Sequence, residues 1–169
     1  MINLFMAFWR LRIAQVYLNK KPDKAIAILE KGIVKYPGYS FLFLHLGLAY
    51  AQKENWDKAE YHLQQACNLD PSNPVFDLFM GKVLIDGERY EKAILKLLES
   101  IEKDQNNQLS WSYLALAYLG DGDNQKFNEI VQKKPLSENH ELQIRMILLL
   151  EKQIRNWNSY ELQSLTVSE

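Results

Sequence analysis

Ala25, Ala59 and Ala93 stand 34 residues apart, and that period limits what the chain can fold into more than any other feature. Leu29, Leu63 and Leu97 keep the same step, as do Gly32, Ala66 and Ser100. The triplets before the alanines agree as well: Pro22-Asp23-Lys24, Trp56-Asp57-Lys58 and Tyr90-Glu91-Lys92. Upstream, Gly47 and Gly81 are again 34 apart, and Pro37 and Pro71 close the first two units. Self-similarity at a fixed period of this length signals a repeat architecture, in which each unit buries its apolar face only by stacking on its neighbours.

The second unit, residues 40–73, carries Phe43, Leu46-Gly47, Tyr50, Ala59, Leu63, Ala66 and Pro71. Gly47, Ala59 and Ala66 let two helices approach closely, while Phe43, Tyr50 and Leu63 fill the remaining space. Pro71 cannot continue a helix and marks the connection to the next unit. On these residues the unit resembles the tetratricopeptide repeat, with Phe43 in the place of the repeat's Trp and Leu63 in that of its Phe. The third unit, 74–107, keeps Gly81, Ala93, Leu97 and Ser100, has Leu84 for the Tyr and Gln105 for the Pro, and turns at Asp86-Gly87-Glu88. In the first unit, about 6–39, the spacing is one residue short. Either Ala14 and Tyr17 take the Gly and Tyr roles with a shortened turn, which the need for a small residue favours, or Ile13 and Val16 take them in strict register. A degenerate fourth unit, 108–134, has Trp111, Leu114, Ala115 and Tyr118 on its first helix, but Phe127 where a small residue is expected. Ser137 can cap a last helix over about 137–156.

The resemblance implies an all-α, right-handed solenoid of antiparallel helix pairs ending in a capping helix, a single domain over residues 1–169. The first helix of each pair (A) would line the concave face and the second (B) the convex face.

Composition narrows the function classes. The 169 residues hold 20 Lys+Arg against 21 Asp+Glu, for a net charge of -1, so the basic excess of a nucleic-acid binder is missing. One cysteine, Cys67, forms no internal disulfide, which makes the reducing cytoplasm the expected compartment. Residues 1–9 are mostly apolar, but Arg10 and Arg12 interrupt them well short of the ~20 residues a membrane span needs. Catalysis and metal binding find little support. His45, His62 and His140 lie in different units, and Cys67 has no second cysteine near it. Asp121-x-Asp123 begins like a calcium loop, yet Lys126 and Gln132 stand where its Gly and Glu are due. Gly81-Lys82 lacks the rest of a phosphate-binding loop. No enzyme activity and no cofactor are expected.

Binding is better supported. Along the first helix of the second unit, Phe43, Gly47 and Tyr50 face its partner helix, while Phe41, Leu44, Leu48 and Ala51 form a second apolar face. Stepping by 34 extends that face in columns: Phe41, Val75, Leu109; Leu44, Leu78, Ser112; Leu48, Lys82, Leu116; Ala51, Ile85, Leu119; and, beside them, His45, Phe79, Tyr113. The columns predict an apolar groove with Lys82 as its central positive charge, suited to a partner helix or extended segment with spaced apolar anchors. The competing expectation is that these residues are inter-repeat core, or that the chain's own last helix fills the groove. Some members of the family hold a peptide's C-terminal carboxylate with Lys, Asn and Arg. Here those positions fall on Leu44, Leu48, Phe79, Leu109 and Tyr113, or, one unit earlier, on His45, Val75 and Phe79, and neither set supplies a positive pocket.

On the last helix, Leu142, Met146, Ile147, Leu149, Leu150, Ile154 and Trp157 share one wide arc, and Ile144 and Leu148 fall outside it. The arc seals the open end of the solenoid, with Ile144 and Leu148 as a candidate contact for a second subunit. The leading expectation is a non-catalytic adaptor or assembly factor. Two alternatives stand beside it: a chaperone similar to the small chaperones of bacterial secretion systems that share this repeat, shielding apolar cargo segments, and a permanent subunit of a larger, membrane-associated complex that buries Phe5, Phe8 and Trp9.

Overall fold

The computed structural model describes residues 2–18, 20–134, 138–139, 142–143 and 145–153, with side chains from residue 6 onward. Eight helices run in order: α1 (Ile2–Leu18), α2 (Pro22–Lys35), α3 (Ser40–Ala51), α4 (Trp56–Leu69), α5 (Pro74–Asp86), α6 (Tyr90–Lys103), α7 (Gln108–Asp121) and α8 (Asn124–Lys133). Residues 142–143 and 145–153 are helical as well. No strand occurs among the described residues.

Local chemistry sets the boundaries. Asn55, Asn73, Asn107 and Asp123 each turn a side-chain oxygen onto a backbone N–H of the first turn of α4, α5, α7 and α8, supplying an acceptor the helix lacks. Pro74 opens α5 where its missing N–H costs nothing. Gly122, at φ 88°, ends α7 in the left-handed conformation that only glycine takes without strain. Asn139 Oδ1 accepts from the Leu142 N–H at 3.3 Å at the start of the last helical stretch. The expected cap, Ser137, lies outside the described residues.

The helices pair as the repeat requires: α1 on α2, α3 on α4, α5 on α6, α7 on α8, with each B helix also touching the following A helix. The pairs are close because their crossing points carry small residues. A Cβ on Gly47 would stand 2.7 Å from Leu63 Cγ, and one on Gly81 2.5 Å from Leu97 Cγ. In the first unit Ala14 is the residue turned inward, while Ile13 and Val16 are exposed, so the shortened turn is the arrangement adopted. Tyr50 stacks on His62 of α4, ring centroids 5.4 Å apart. In the fourth unit Phe127 takes the place of Ala59 and Ala93, and no residue of α8 is buried.

The backbones of consecutive A helices approach closely (α1 with α3, α3 with α5, α5 with α7), whereas those of consecutive B helices stand further apart among the described residues and are bridged by long side chains, as where Lys92 Nζ of α6 meets Glu60 Oε1 of α4 at 2.7 Å. The stack therefore closes on the A side and opens on the B side, which places the inner columns of the A helices on the concave face.

Gly81→Ala should lose about 1–3 kcal/mol, the usual cost of overfilling a packed contact. Gly38, where an added Cβ would meet nothing within 4 Å, serves as the control. Gly38→Ala should stay within about 0.5 kcal/mol of the parent. Urea unfolding followed by circular dichroism compares the two.

Candidate functional site

The adopted arrangement of α1 brings a fourth helix to the concave face. With Ala14 in the place of Gly47, Phe8, Arg12 and Gln15 fall in line with Phe41, His45 and Leu48. Gln15 Nε2 lies 3.1 Å from His45 Nε2, and Arg12 Nη1 donates to Gln15 Oε1 at 3.3 Å. Phe8, Arg12 and Gln15 escaped the column count because the first unit is one residue short. The near-match of Ala14 to Gly47 was the signal that locates them.

The concave columns are not equally open. Phe41, His45, Leu48, Val75, Phe79, Lys82 and Leu109 are half-buried, whereas Leu44, Leu78, Tyr113 and Leu116 are buried. Ala51 is half-buried, and Ile85, Ser112 and Leu119 are buried, so cover deepens from α3 toward α7. Two sources supply it. A helices pack on one another, and Phe41 meets Phe76 edge to face, centroids 5.2 Å apart. The last helical stretch also returns over the C-terminal ends of α5 and α7: Arg145 Nη1 reaches Asp86 Oδ1 at 2.8 Å, and Gln153 Nε2 donates to the Leu119 carbonyl at 2.7 Å. Leu142 is buried there, with Met146 and Leu149 packed on the core. Leu148 is exposed beside Ile147 and Leu150, and Ile144 lies outside the described residues. A side chain with no exposed surface offers a rigid ligand nothing to touch, so the accessible seam is the half-buried set on α3, α5 and the start of α7.

The charge along this seam is low and lies at its edges. Lys82 Nζ bonds Asp86 Oδ2 at 2.9 Å, and Asp86 also takes Arg145, so three charged groups cluster at the inner end of α5 with a net charge of one. Burial pushes the His45 imidazole down to about 4, leaving it neutral near pH 7. Its Nδ1 is buried without a hydrogen-bond partner.

On the convex side, Asp77 is buried and takes Lys103 Nζ on one oxygen and Cys67 Sγ, 3.7 Å away, on the other. Burial, then the Asp77 charge, pushes the Cys67 thiol up to about 12, so it stays protonated near neutral pH and is a poor nucleophile. Among the described residues no group of three His, Cys, Asp or Glu side chains is disposed to hold a metal, and no helix is long and apolar enough to cross a membrane.

Residues 10–39 and 40–73 each match a family model described as Tetratricopeptide repeat. Among curated proteins the chain is similar to the cilia- and flagella-associated protein 70 of Homo sapiens, 31% identical over 114 residues, covering 66% of this chain and 10% of that protein. The Macaca fascicularis counterpart is 30% identical over 109 residues, covering 63% and 11%. The chain thus spans about a tenth of the length of these relatives. Among solved structures, MamA superposes with a TM-score of 0.64 at 21% identity over 88% of this chain and 81% of that one. MamA from Desulfovibrio magneticus RS-1 gives 0.65 at 23% over 75% and 72%. Thermobaculum terrenum O-GlcNAc transferase gives 0.62 at 20% over 70% and 23%. At these identities the structural likeness is one of fold.

His45 links stability to pH. Its folded value lies below the 6.5 of a free imidazole, so the unfolded chain takes up the proton first as the solution is acidified. Stability is thus lost as pH falls from about 6.5 to about 4, by up to roughly 3 kcal/mol from this residue. Urea midpoints across that window should fall less steeply in His45→Leu than in the parent.

Proposed function

The chain is a tetratricopeptide-repeat protein, and from that premise we propose that it is a non-catalytic interaction scaffold that holds a segment of a partner protein against the A helices. The observation that carries this reading is the set of half-buried apolar side chains Phe41, Leu48, Val75, Phe79 and Leu109, which spans three repeats. A side chain that keeps part of its surface in water, inside a concave wall, gains by being covered. Full burial of an apolar side chain is worth about 1.5–3 kcal/mol. The wall's charge is confined to Arg12 and to the Lys82–Asp86–Arg145 cluster, so its middle suits apolar anchors on a helix or extended strand better than a charged peptide terminus. The ligand would lie along α1, α3 and α5 and the first turn of α7, because residues 142–143 and 145–153 already occupy the far end.

Leu48→Glu sets a carboxylate in the middle of this seam. After circular dichroism shows the variant folded, a pull-down from native extract compares it with the parent and with Leu95→Glu, an exposed position on α6. Partner recovery should fall about ten- to hundredfold for Leu48→Glu, the equivalent of one lost apolar anchor, and stay level for Leu95→Glu. An unchanged partner list for folded Leu48→Glu would overturn the assignment of binding to this face.

A further inference from the structure

The charges of the concave wall are all of one sign. With Ala14 in the place of Gly47, α1 adds Phe8, Leu11, Arg12, Gln15 and Leu18 to the five columns that run across α3, α5 and α7. Of the twenty positions so aligned, only Arg12 and Lys82 are charged, and none carries a carboxylate. The two cations stand differently. Lys82 is paired with Asp86, one residue past the columns. Arg12 is exposed and makes no ion pair among the described residues. Its own helix and α3 carry no Asp or Glu, and on α2 Asp23 is taken by Lys53 and Glu30 by the Tyr50 hydroxyl.

Arg12 is held in place all the same. Its Nη1 donates to Gln15 Oε1 at 3.3 Å, which turns the Gln15 amide N–H toward His45 Nε2, 3.1 Å away. His45 Nε2 then accepts, and the imidazole proton sits on Nδ1. This relay joins α1 to α3 and uses one of the five N–H donors of the guanidinium, leaving the rest of the fork for a further acceptor.

We infer that Arg12 receives an Asp or Glu side chain of the partner segment, so that the protein selects segments in which an internal acidic residue borders the apolar anchors. The inference rests on the concave wall as the binding face and states what sits at its α1 edge. A guanidinium fork matches a carboxylate through two parallel hydrogen bonds, and a fork already oriented loses less freedom in forming them. One fork suits one side chain. A phosphodiester backbone or a chain terminus draws on several donors, and the wall's other cation is already paired. A single charge contact at one edge also sets direction, because only one end of the segment then meets Arg12.

Random peptides displayed on phage and selected against the full chain test both levels. Sequences that need Leu48, shown by their loss when Leu48→Glu is the target, should carry Asp or Glu beside their apolar residues. Selection on Arg12→Gln should remove the acidic preference and keep the apolar residues, and selection on Arg12→Glu should replace it with Lys or Arg. Circular dichroism checks that each variant is folded. For a synthetic peptide from the selected set, amidated at its C-terminus, exchanging the acid for Gln should weaken binding about tenfold to the parent and leave binding to Arg12→Gln unchanged. Leu48-dependent peptides without an acid, or with one that both Arg12 variants still select, would overturn the inference and leave the concave reading standing. Binding that amidation abolishes would overturn it in favour of a chain terminus. If no selected peptide needs Leu48, because a second copy or the chain's own polypeptide covers the wall, both readings fall.

Discussion

The approach of α3 to α4 across Gly47, and of α5 to α6 across Gly81, is the contact on which the rest of the molecule depends. Neither position has room for a methyl group without moving a buried leucine. Ala14 and Ala115 hold the same place in the outer units, and both are buried. With the crossing point this tight, Leu63 and Leu97 are fully enclosed, and the flanking aromatic rings take up the space where the helices diverge. Each B helix is then free on its other side to receive the next A helix. Repetition at a constant step turns that local contact into a stack.

The same geometry leaves surfaces for function. An A helix in the middle of the stack meets its own B helix, the previous B helix and its A neighbours, and keeps only a strip of its inner face near water. The strip is apolar because most of the helix has to be. That coupling explains why a binding seam and a packing core share residues: Leu44 and Leu78 finish inside, while Phe41, Leu48, Val75 and Phe79 are left partly out. On α1, Met6, Ile13 and Val16 are exposed although their counterparts in the later A helices that lie within a helix are buried. The buried polar groups belong to the packing. Ser100 bonds both the Pro74 carbonyl and Ser110, tying α6 to its neighbours on either side, and Asp77 is neutralised by Lys103 reaching in from α6.

Much of the architecture was legible because it is written in local, repeated terms. The 34-residue step of the alanines, leucines and glycines carries the helix pairs, and the same step aligns the concave columns. Depth within those columns was not legible. Whether Leu116 and Leu119 are open or covered depends on Arg145 meeting Asp86 and Gln153 meeting the Leu119 carbonyl, contacts between distant segments that obey no period. The first unit escaped for the opposite reason. Its turn is one residue short, so Phe8, Arg12 and Gln15 fall out of step with the residues they join in space. Periodicity finds what every unit does; it misses what one unit does alone.

Amide hydrogen exchange, residue by residue, tests most directly the claim that an A helix depends on a B helix at each side. In the isolated protein, α3 and α5 should exchange slowest, through openings close to global unfolding, and α1, which among the described residues packs on a B helix at one side only, should exchange at least tenfold faster. Protection of α1 equal to that of α5 would contradict the account, because a helix with its outer face in water would then be as firmly held as one packed between two neighbours.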